Sequence, residues 1–234
     1  MYRPPANAVA DAIEALAMVR AHGFGHLVVA GAGGLDAVPV PVLVDGGDDE
    51  GDEGGDGGVR VRAHVARANP LWRAAPCPAL LIVSPLDAYV SPSWYATKQG
   101  GDPRVVPTWN YELVHLYGTL EARHEPPWKE RVVRQLTERQ EAAKPEPWSV
   151  DDAPAEYIER MLRAIVGLEL TVERVEGKRK LSQNRSAADI AGVVAGLSGG
   201  PAGSRRVAAA MSELVEPPSS RGEDVANREI VTRA

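Results

Sequence analysis

Hydrophobic and polar positions alternate along several short stretches of the chain, which is the pattern of half-buried β-strands. In Val59–Val65 the apolar side chains share one face, and two arginines and His64 share the other. Leu80–Val83 is apolar at every position and is predicted to be a central strand. Further strands are predicted at 24–30, 37–44, 113–121 and 166–176. Because Pro39 and Pro41 lack an N–H, the strand over 37–44 is expected at a sheet edge or a bulge.

Helices are predicted where the apolar period lengthens to three or four residues. The helical segments are 7–22 with Asn7 as its cap, 127–143, 154–165, and a closing helix from Ser186 to about Leu197. The strands and helices do not alternate regularly, so a doubly wound parallel sheet is not expected. The pattern favours a mainly β (α+β) fold, a small barrel with flanking helices.

Two segments have a composition that cannot form a packed core. Residues 45–58 contain seven acids and no Lys or Arg, and are expected to be a disordered hairpin loop. Residues 198–234 are rich in Gly, Pro and Ser, with one weak helix near 205–215, and are expected to be a flexible tail. The folded domain is therefore predicted to span 1–197.

Composition and charge exclude several classes of protein. The 234 residues include 44% hydrophobic and 25% charged residues, as in globular soluble proteins, and no apolar run is long enough to span a membrane. Cys77 is the only cysteine, which excludes an intrachain disulfide, and the chain is expected in the cytoplasm. Without the seven acids of 45–58, the formal charge of −6 becomes +1. With no helix-turn-helix pattern either, DNA binding is not predicted.

Aromatic and polar residues are interleaved between residues 94 and 111, where two Trp and two Tyr occur among Ser, Thr, Asn and Lys. Such a mixture suits the wall of a pocket for a flat ligand with polar edges, and it is also typical of a dimer contact. The candidates here are Ser93, Trp94, Tyr95, Lys98, Trp109 and Tyr111. The basic stretch 174–185, which includes Lys180 and Arg185, could bind a phosphate or carboxylate, or be a solvated strand end.

Several short motifs follow one another along the chain. They are Met1–Pro5, His64–Trp72, Ser91–Tyr95, Thr108–Tyr111 followed by His115 and Gly118, Ile165–Gly167, and Lys180–Arg185. Motifs similar to these occur in the same order in the PaiB-like proteins, a family of FMN-binding negative transcriptional regulators. The chain resembles this family over about residues 1–197. The resemblance implies a split β-barrel of the flavin-reductase and pyridoxamine-phosphate-oxidase type. It also implies a homodimer that holds its cofactor at the subunit interface.

A second branch of the same family, the piperazate synthases, contains haem b and cyclises a δ-N-hydroxylated ornithine by forming an N–N bond. One departure from the family bears on the choice. Where the family usually has Ala-Thr-His-Leu-Pro, this chain has Ala37-Val38-Pro39-Val40-Pro41. A flavin has many edge atoms that need hydrogen-bond partners, whereas haem needs one strong axial donor and partners for its propionates. The loss of the hydroxyl and the imidazole therefore favours haem.

The resulting hypothesis is a haem b-dependent enzyme similar to piperazate synthase, acting on a small amino-acid-like substrate. His64 is the expected axial ligand, with His115 as the competing donor. Cofactor contacts are expected from Arg67, Asn69, Ser93, Trp94, Trp109, Lys180 and Arg185, and catalytic roles from Lys98, Tyr95 and Tyr111. Arg62, Arg67 and Lys98 could pair with propionates or with a substrate carboxylate. The alternative is an FMN-binding regulator, or a flavin-dependent oxidoreductase on the same barrel.

Overall fold

A computed structural model describes residues 1–31, 33–47 and 58–215. Most of the acidic segment 45–58 and the last part of the expected tail, 216–234, lie outside the described residues. The chain divides into two compact units by its internal contacts. Unit 1 contains residues 1–85 and 112–179, and unit 2 contains 86–111 and the chain from residue 180 onward.

The described chain contains nine strands and six α-helices. The strands are β1 Ala8–Val9, β2 Phe24–Gly31, β3 Gly34–Pro41, β4 Leu43–Asp45, β5 Arg60–Ala66, β6 Cys77–Val83, β7 Asp87–Val90, β8 Thr108–Arg123 and β9 Ile165–Lys180. The helices are α1 Ala12–His22, α2 Ala96–Gln99, α3 Pro126–Glu141, α4 Ala155–Arg163, α5 Ala187–Ser198 and α6 Ala202–Val215. None of these helices is long and apolar enough to cross a membrane.

The strands form a mainly antiparallel sheet in the order β3-β2-β6-β8-β9-β5-β4, with β1 paired to β9 and β7 paired to β8. This confirms the predicted mainly β fold with flanking helices. The sheet is not closed, because β3 and β4 are the two ends of its order. β3 contains Pro39 and Pro41 and pairs with β2 alone among the described strands, so the prediction of an edge strand is confirmed.

Unit 1 packs its core on one face of the sheet. Val61, Ala63 and Val65 of β5 are buried there, together with alternate residues of β6, β8 and β9. β6 is central, between β2 and β8, as predicted, but its Leu80 and Ile82 are only half-buried. The reason is that an antiparallel sheet buries one face more fully than the other.

Helix α1 covers this core and differs at its start from the prediction. The side chain of Asp11 accepts a hydrogen bond from the Ile13 N–H, so Asp11 and not Asn7 is the N-cap. The helix ends at Gly23, whose φ of 69° places it in the left-handed region that glycine adopts freely. Leu16 and Val19 bury the apolar face.

Unit 2 combines β7 and the first residues of β8 with α2, α5 and α6. Ser186 caps α5 as predicted, since its hydroxyl accepts from the Asp189 N–H. The weak helix expected near 205–215 is present as α6, and its Val207, Ala208 and Met211 are buried in the unit 2 core. These three positions follow the helical spacing of an apolar stripe, which explains how a segment of weak propensity becomes ordered by packing.

Candidate functional site

His64 lies on the outer face of β5, opposite the buried Val61, Ala63 and Val65, as the alternation predicts. The imidazole is half-buried, and its Nδ1 is buried without a hydrogen-bond partner among the described residues. Desolvation by burial lowers the pKa of His64 below its ordinary value of 6.5. His64 is therefore a neutral ring with an unsatisfied nitrogen, which is the chemical form that donates to a metal.

The residue paired with His64 across the sheet is Gly167 of β9. A Cβ atom at Gly167 would lie 2.2 Å from Cζ3 of Trp128 and 3.1 Å from Cβ of Arg123. The absence of a side chain thus allows the Trp128 ring to lie on the strand beside His64. Glycine at this position of the Ile165–Gly167 motif is needed for close packing of α3 on the sheet.

An open cleft of about 500 Å³ adjoins this stack in unit 1, and we call it the arginine cleft. It is lined by Arg60, Arg123, Glu125, Pro127, Trp128, Arg131 and Glu169. Glu169 is buried and accepts hydrogen bonds from Arg123 Nη2 and, at 3.3 Å, from Trp128 Nε1. Arg123 Nε is buried without a partner among the described residues. Two unsatisfied polar atoms, His64 Nδ1 and Arg123 Nε, therefore belong to residues that adjoin Gly167.

Two other residues of the His64–Trp72 motif are bonded within the chain. Arg67 donates from Nε to the Arg163 carbonyl at 2.7 Å and from Nη2 to the Ile165 carbonyl at 3.2 Å. Asn69 accepts from the Leu71 N–H at 2.9 Å and caps the short 3₁₀ helix Pro70–Ala74. Both side chains stabilise the connection that follows β5, and a cofactor contact from either remains a prediction.

His115, the competing donor, lies on β8 of unit 1 in different surroundings. Its Nδ1 lies 3.1 Å from the hydroxyl of Tyr117, which in turn donates to Glu176 at 3.2 Å. Glu176 is nine residues along β9 from Gly167, or about 30 Å of extended strand. His64 and His115 therefore do not form one site within a single chain.

The remaining candidates belong to unit 2, where Lys180 and Trp109 form one group. Lys180 Nζ donates to Thr108 Oγ1 at 2.6 Å and to the Trp109 carbonyl, and it lies 5.9 Å from the centre of the Tyr111 ring. Trp109 is 53% exposed and packs edge-to-face against Tyr89 at 6.1 Å.

A second group in unit 2 surrounds Trp94. Its ring lies on Gly196, where a Cβ atom would be 2.3 Å from Cδ2. Tyr95 is fully buried, its hydroxyl has no partner among the described residues, and the Arg185 guanidinium is 4.8 Å from its ring centre. Lys98 and Ser93 are exposed, with Nζ 3.4 Å from Oγ. These contacts make Tyr95 a core residue. Its hydroxyl is not accessible to a substrate, so nothing in its position supports the predicted catalytic role.

Several chemically notable residues were missed by the sequence reasoning. The arginine cleft depends on Arg123, which lies between the predicted strand 113–121 and the predicted helix 127–143, and on Trp128 and Arg131, which the sequence placed only in that helix. In unit 2, Asn110 is buried and exchanges hydrogen bonds with Ser182, which has a positive φ of 67°. The Lys180–Arg185 motif was a signal for this turn, because a short polar sequence at a strand end favours a backbone reversal.

Comparison with known proteins agrees with this architecture. Residues 1–174 match the family model described as "Putative FMN-binding domain". The chain is 31% identical over 199 residues to "Protease synthase and sporulation protein PAI 2" of Bacillus subtilis, an alignment that covers 83% of this chain and 87% of that protein. It is also 31% identical to an uncharacterized protein of Aspergillus fumigatus, over 58% of this chain and 65% of that protein.

Solved structures share the fold at lower identity. The flavocytochrome Anf3 from Azotobacter vinelandii has a TM-score of 0.51 at 20% identity, covering 74% of this chain and 69% of its own. The conserved hypothetical protein Rv2991 from Mycobacterium tuberculosis has a TM-score of 0.50 at 15% identity, covering 76% and 90%. The family match and the Bacillus relative confirm the resemblance seen in the motifs, and the chain belongs to this PaiB-like FMN-binding domain family.

Proposed function

We propose that this protein is a haem-dependent cyclase that forms an N–N bond in a small N-hydroxylated amino acid, with His64 as the axial ligand. The observation that carries the proposal is the half-buried imidazole of His64, whose Nδ1 has no partner among the described residues. A buried polar atom without a partner is costly, and coordination to a metal would remove that cost.

The residues around His64 fit the requirements of haem. Burial lowers the pKa of the ring, so the nitrogen lone pair stays available at neutral pH. The adjoining arginine cleft supplies guanidinium groups of the kind that pair with carboxylates. The Trp128 ring lies on the strand beside His64, at Gly167.

The region where the family usually carries Thr and His supports haem over flavin. Ala37–Pro41 falls in edge strand β3, and its side chains are all apolar. They offer no donor or acceptor to the polar edge of an isoalloxazine ring, which needs several. A haem macrocycle has a largely apolar perimeter and makes no such demand.

The proposed reaction divides between the cofactor and the chain. When bound, haem iron supplies a Lewis acid for the N-hydroxyl oxygen of the substrate, which makes that oxygen a leaving group. The chain must orient the substrate so that its amine faces the electrophilic nitrogen, and it must keep competing water away. We further propose that the protein is a cytoplasmic homodimer, in line with its single cysteine and its family.

The second candidate is an FMN-binding protein, either a regulator or an oxidoreductase. The observation that favours it is the family itself, whose model describes an FMN-binding domain. The fold is compatible with both cofactors, since Anf3 is a flavocytochrome. Against a DNA-binding regulator stands the formal charge, which is near zero outside the acidic segment.

The absorption spectrum of the protein as purified separates the two candidates. A haem protein has a Soret band and yields haem on extraction, whereas an FMN protein is yellow and releases FMN on heating. We expect a Soret band and about one haem per chain, followed by turnover of an N-hydroxylated ornithine by the loaded protein. A protein that takes up FMN but no haem would replace the cyclase by the flavin alternative.

A further inference from the structure

Two of the cations that the sequence suggested for a substrate carboxylate, Arg62 and Arg67, are bonded inside unit 1. Arg62 makes a two-point ion pair with Asp45, using Nε and Nη2. Arg67 donates to the backbone carbonyls of Arg163 and Ile165. Satisfied guanidinium groups gain little from a ligand, because binding would first break these bonds. Within unit 1, a carboxylate must therefore be recognised by residues other than Arg62 and Arg67.

The arginine cleft contains guanidinium donors that are not satisfied. Arg131 is exposed and has no partner among the described residues. Arg123 is paired with Glu169 and Glu121 through Nη2, but its Nε is buried without a partner. Because that atom is closed to solvent, the exposed Arg131 is the guanidinium that a ligand in the cleft can reach.

The charges around the cleft are close to balanced, and Arg131 is the exposed cation among them. The lining contains three arginines and two acids, Glu125 and Glu169, and a third acid, Glu121, also pairs with Arg123. Helix α3, which is 16 residues long, begins beside the cleft at Pro126, so the positive end of its dipole adds to the field. Glu125 precedes the helix and offsets part of that dipole.

We propose that the arginine cleft binds the α-carboxylate of the amino-acid-like substrate, a role that rests on the proposed function. Arg131 provides the charge-assisted hydrogen bonds, and the Trp128 face supports the aliphatic part of the substrate. Trp128 lies on Gly167, which is paired with His64, so this placement puts the carboxylate site next to the strand pair that contains His64.

Binding is tested by titrating the ¹⁵N-labelled protein as purified with L-ornithine and, separately, with inorganic phosphate. The reporter is the indole N–H of Trp128, one of five tryptophan signals, identified by its loss in Trp128→Phe. We expect ornithine to shift this signal saturably. In Arg131→Gln the apparent dissociation constant should rise about tenfold, the loss of one hydrogen bond to a charged group. The matched control is Arg163→Gln, an arginine on α4 whose side chain is 70% exposed, and its constant should stay within about twofold.

The outcomes separate this inference from the proposed function. An unshifted Trp128 signal, or equal affinities in Arg131→Gln and the wild type, would overturn the carboxylate site even if the protein contains haem. Saturable binding of phosphate with no response to ornithine would also overturn it and would identify a phosphate site instead. A protein that binds ornithine through Arg131 but contains no haem keeps the carboxylate site and removes the haem chemistry.

Discussion

Units 1 and 2 each place a tryptophan ring on a glycine, but the two stacks have different surroundings. In unit 1, Trp128 lies on Gly167 beside an open cleft, and two nearby polar atoms, on His64 and Arg123, lack partners among the described residues. In unit 2, Trp94 lies on Gly196, and the polar groups of Thr97, three residues after Trp94, are bonded. The backbone N–H and the hydroxyl of Thr97 both donate to Asp189, at 2.8 Å.

The difference teaches that accessibility decides the meaning of an unsatisfied polar atom. The Tyr95 hydroxyl of unit 2 also lacks a partner in the described part of the chain, but Tyr95 is 0% exposed. A polar atom enclosed in a core only reduces stability, whereas one beside a cleft can be satisfied by a ligand. By this criterion Tyr95 is a packing residue, and the His64 segment is the better candidate for a binding site than the surroundings of Tyr95.

The largest effect is expected from His64→Ala. If haem is the cofactor, the variant should lose it entirely, because the axial imidazole supplies the main bond between metal and protein. If FMN is the cofactor, the variant should bind about 5- to 30-fold more weakly, since one hydrogen bond of roughly 1–2 kcal/mol is lost. The measurement is the absorption spectrum after reconstitution with each cofactor, with circular dichroism to establish folding. An unchanged Soret band in a folded variant would transfer the ligand role to His115.

The two glycines provide a direct comparison of the stacks. Gly167→Ala forces a methyl group into the Trp128 ring and should destabilise the protein by about 1–3 kcal/mol, with loss of cofactor as α3 is displaced. Gly196→Ala makes a similar clash with Trp94, partly offset by the better helix propensity of Ala, about 1 kcal/mol, and should retain the cofactor. The midpoint of urea unfolding and the cofactor content of both variants are measured.

Gly203→Ala is the control for this pair, because no described atom lies within 4 Å of the place that its new methyl group would occupy in α6. It should be neutral or slightly stabilising. Equal cofactor loss in Gly167→Ala and Gly196→Ala would show that the two stacks do not differ in function.

Much of the fold could be predicted because alternation is a local property of the sequence. The faces of β5, the edge position of β3 and the central position of β6 all follow from side-chain and proline patterns. The division into two units could not be predicted. The long strands β8 and β9 each contain residues of both units, and no stretch of linker-like composition marks the boundary.

The histidine of the candidate site could be predicted from the sequence, but the residues around it could not. His64 is marked by its position opposite a valine face, which one strand suffices to show. The arginine cleft joins β5, β8, β9 and the start of α3, residues that are up to 109 positions apart in sequence, from Arg60 to Glu169. Which arginines are already bonded depends on these distant contacts, so Arg67 was favoured over Arg131 for a ligand-binding role.

Tyr95→Phe tests the buried, unsatisfied hydroxyl of unit 2. Removing a buried hydroxyl without a partner among the described residues should leave stability unchanged or raise it by about 1 kcal/mol, because no hydrogen bond is lost. Turnover should not change if Tyr95 is only a core residue. The check is the thermal midpoint together with the activity of the loaded protein. A fall in activity at full stability would restore the catalytic role that the sequence suggested.

The smallest effect concerns His115, the partnered histidine of unit 1. Desolvation is the main cause that lowers the pKa of His115, and the nearby Met1 amino group and Arg174 lower it further, while Glu176 raises it. The folded state therefore favours the neutral ring. Its contribution to stability is complete above pH 6.5, the ordinary value, and is lost as the pH falls through the lowered folded pKa.

His115→Gln, which cannot be protonated, should flatten the loss of stability below pH 6.5 in urea unfolding of the apo-protein, whereas the exposed control His26→Gln should follow the wild type. A steeper loss in His115→Gln would mean that protonation of His115 strengthens its hydrogen bond to Tyr117, contrary to the burial argument.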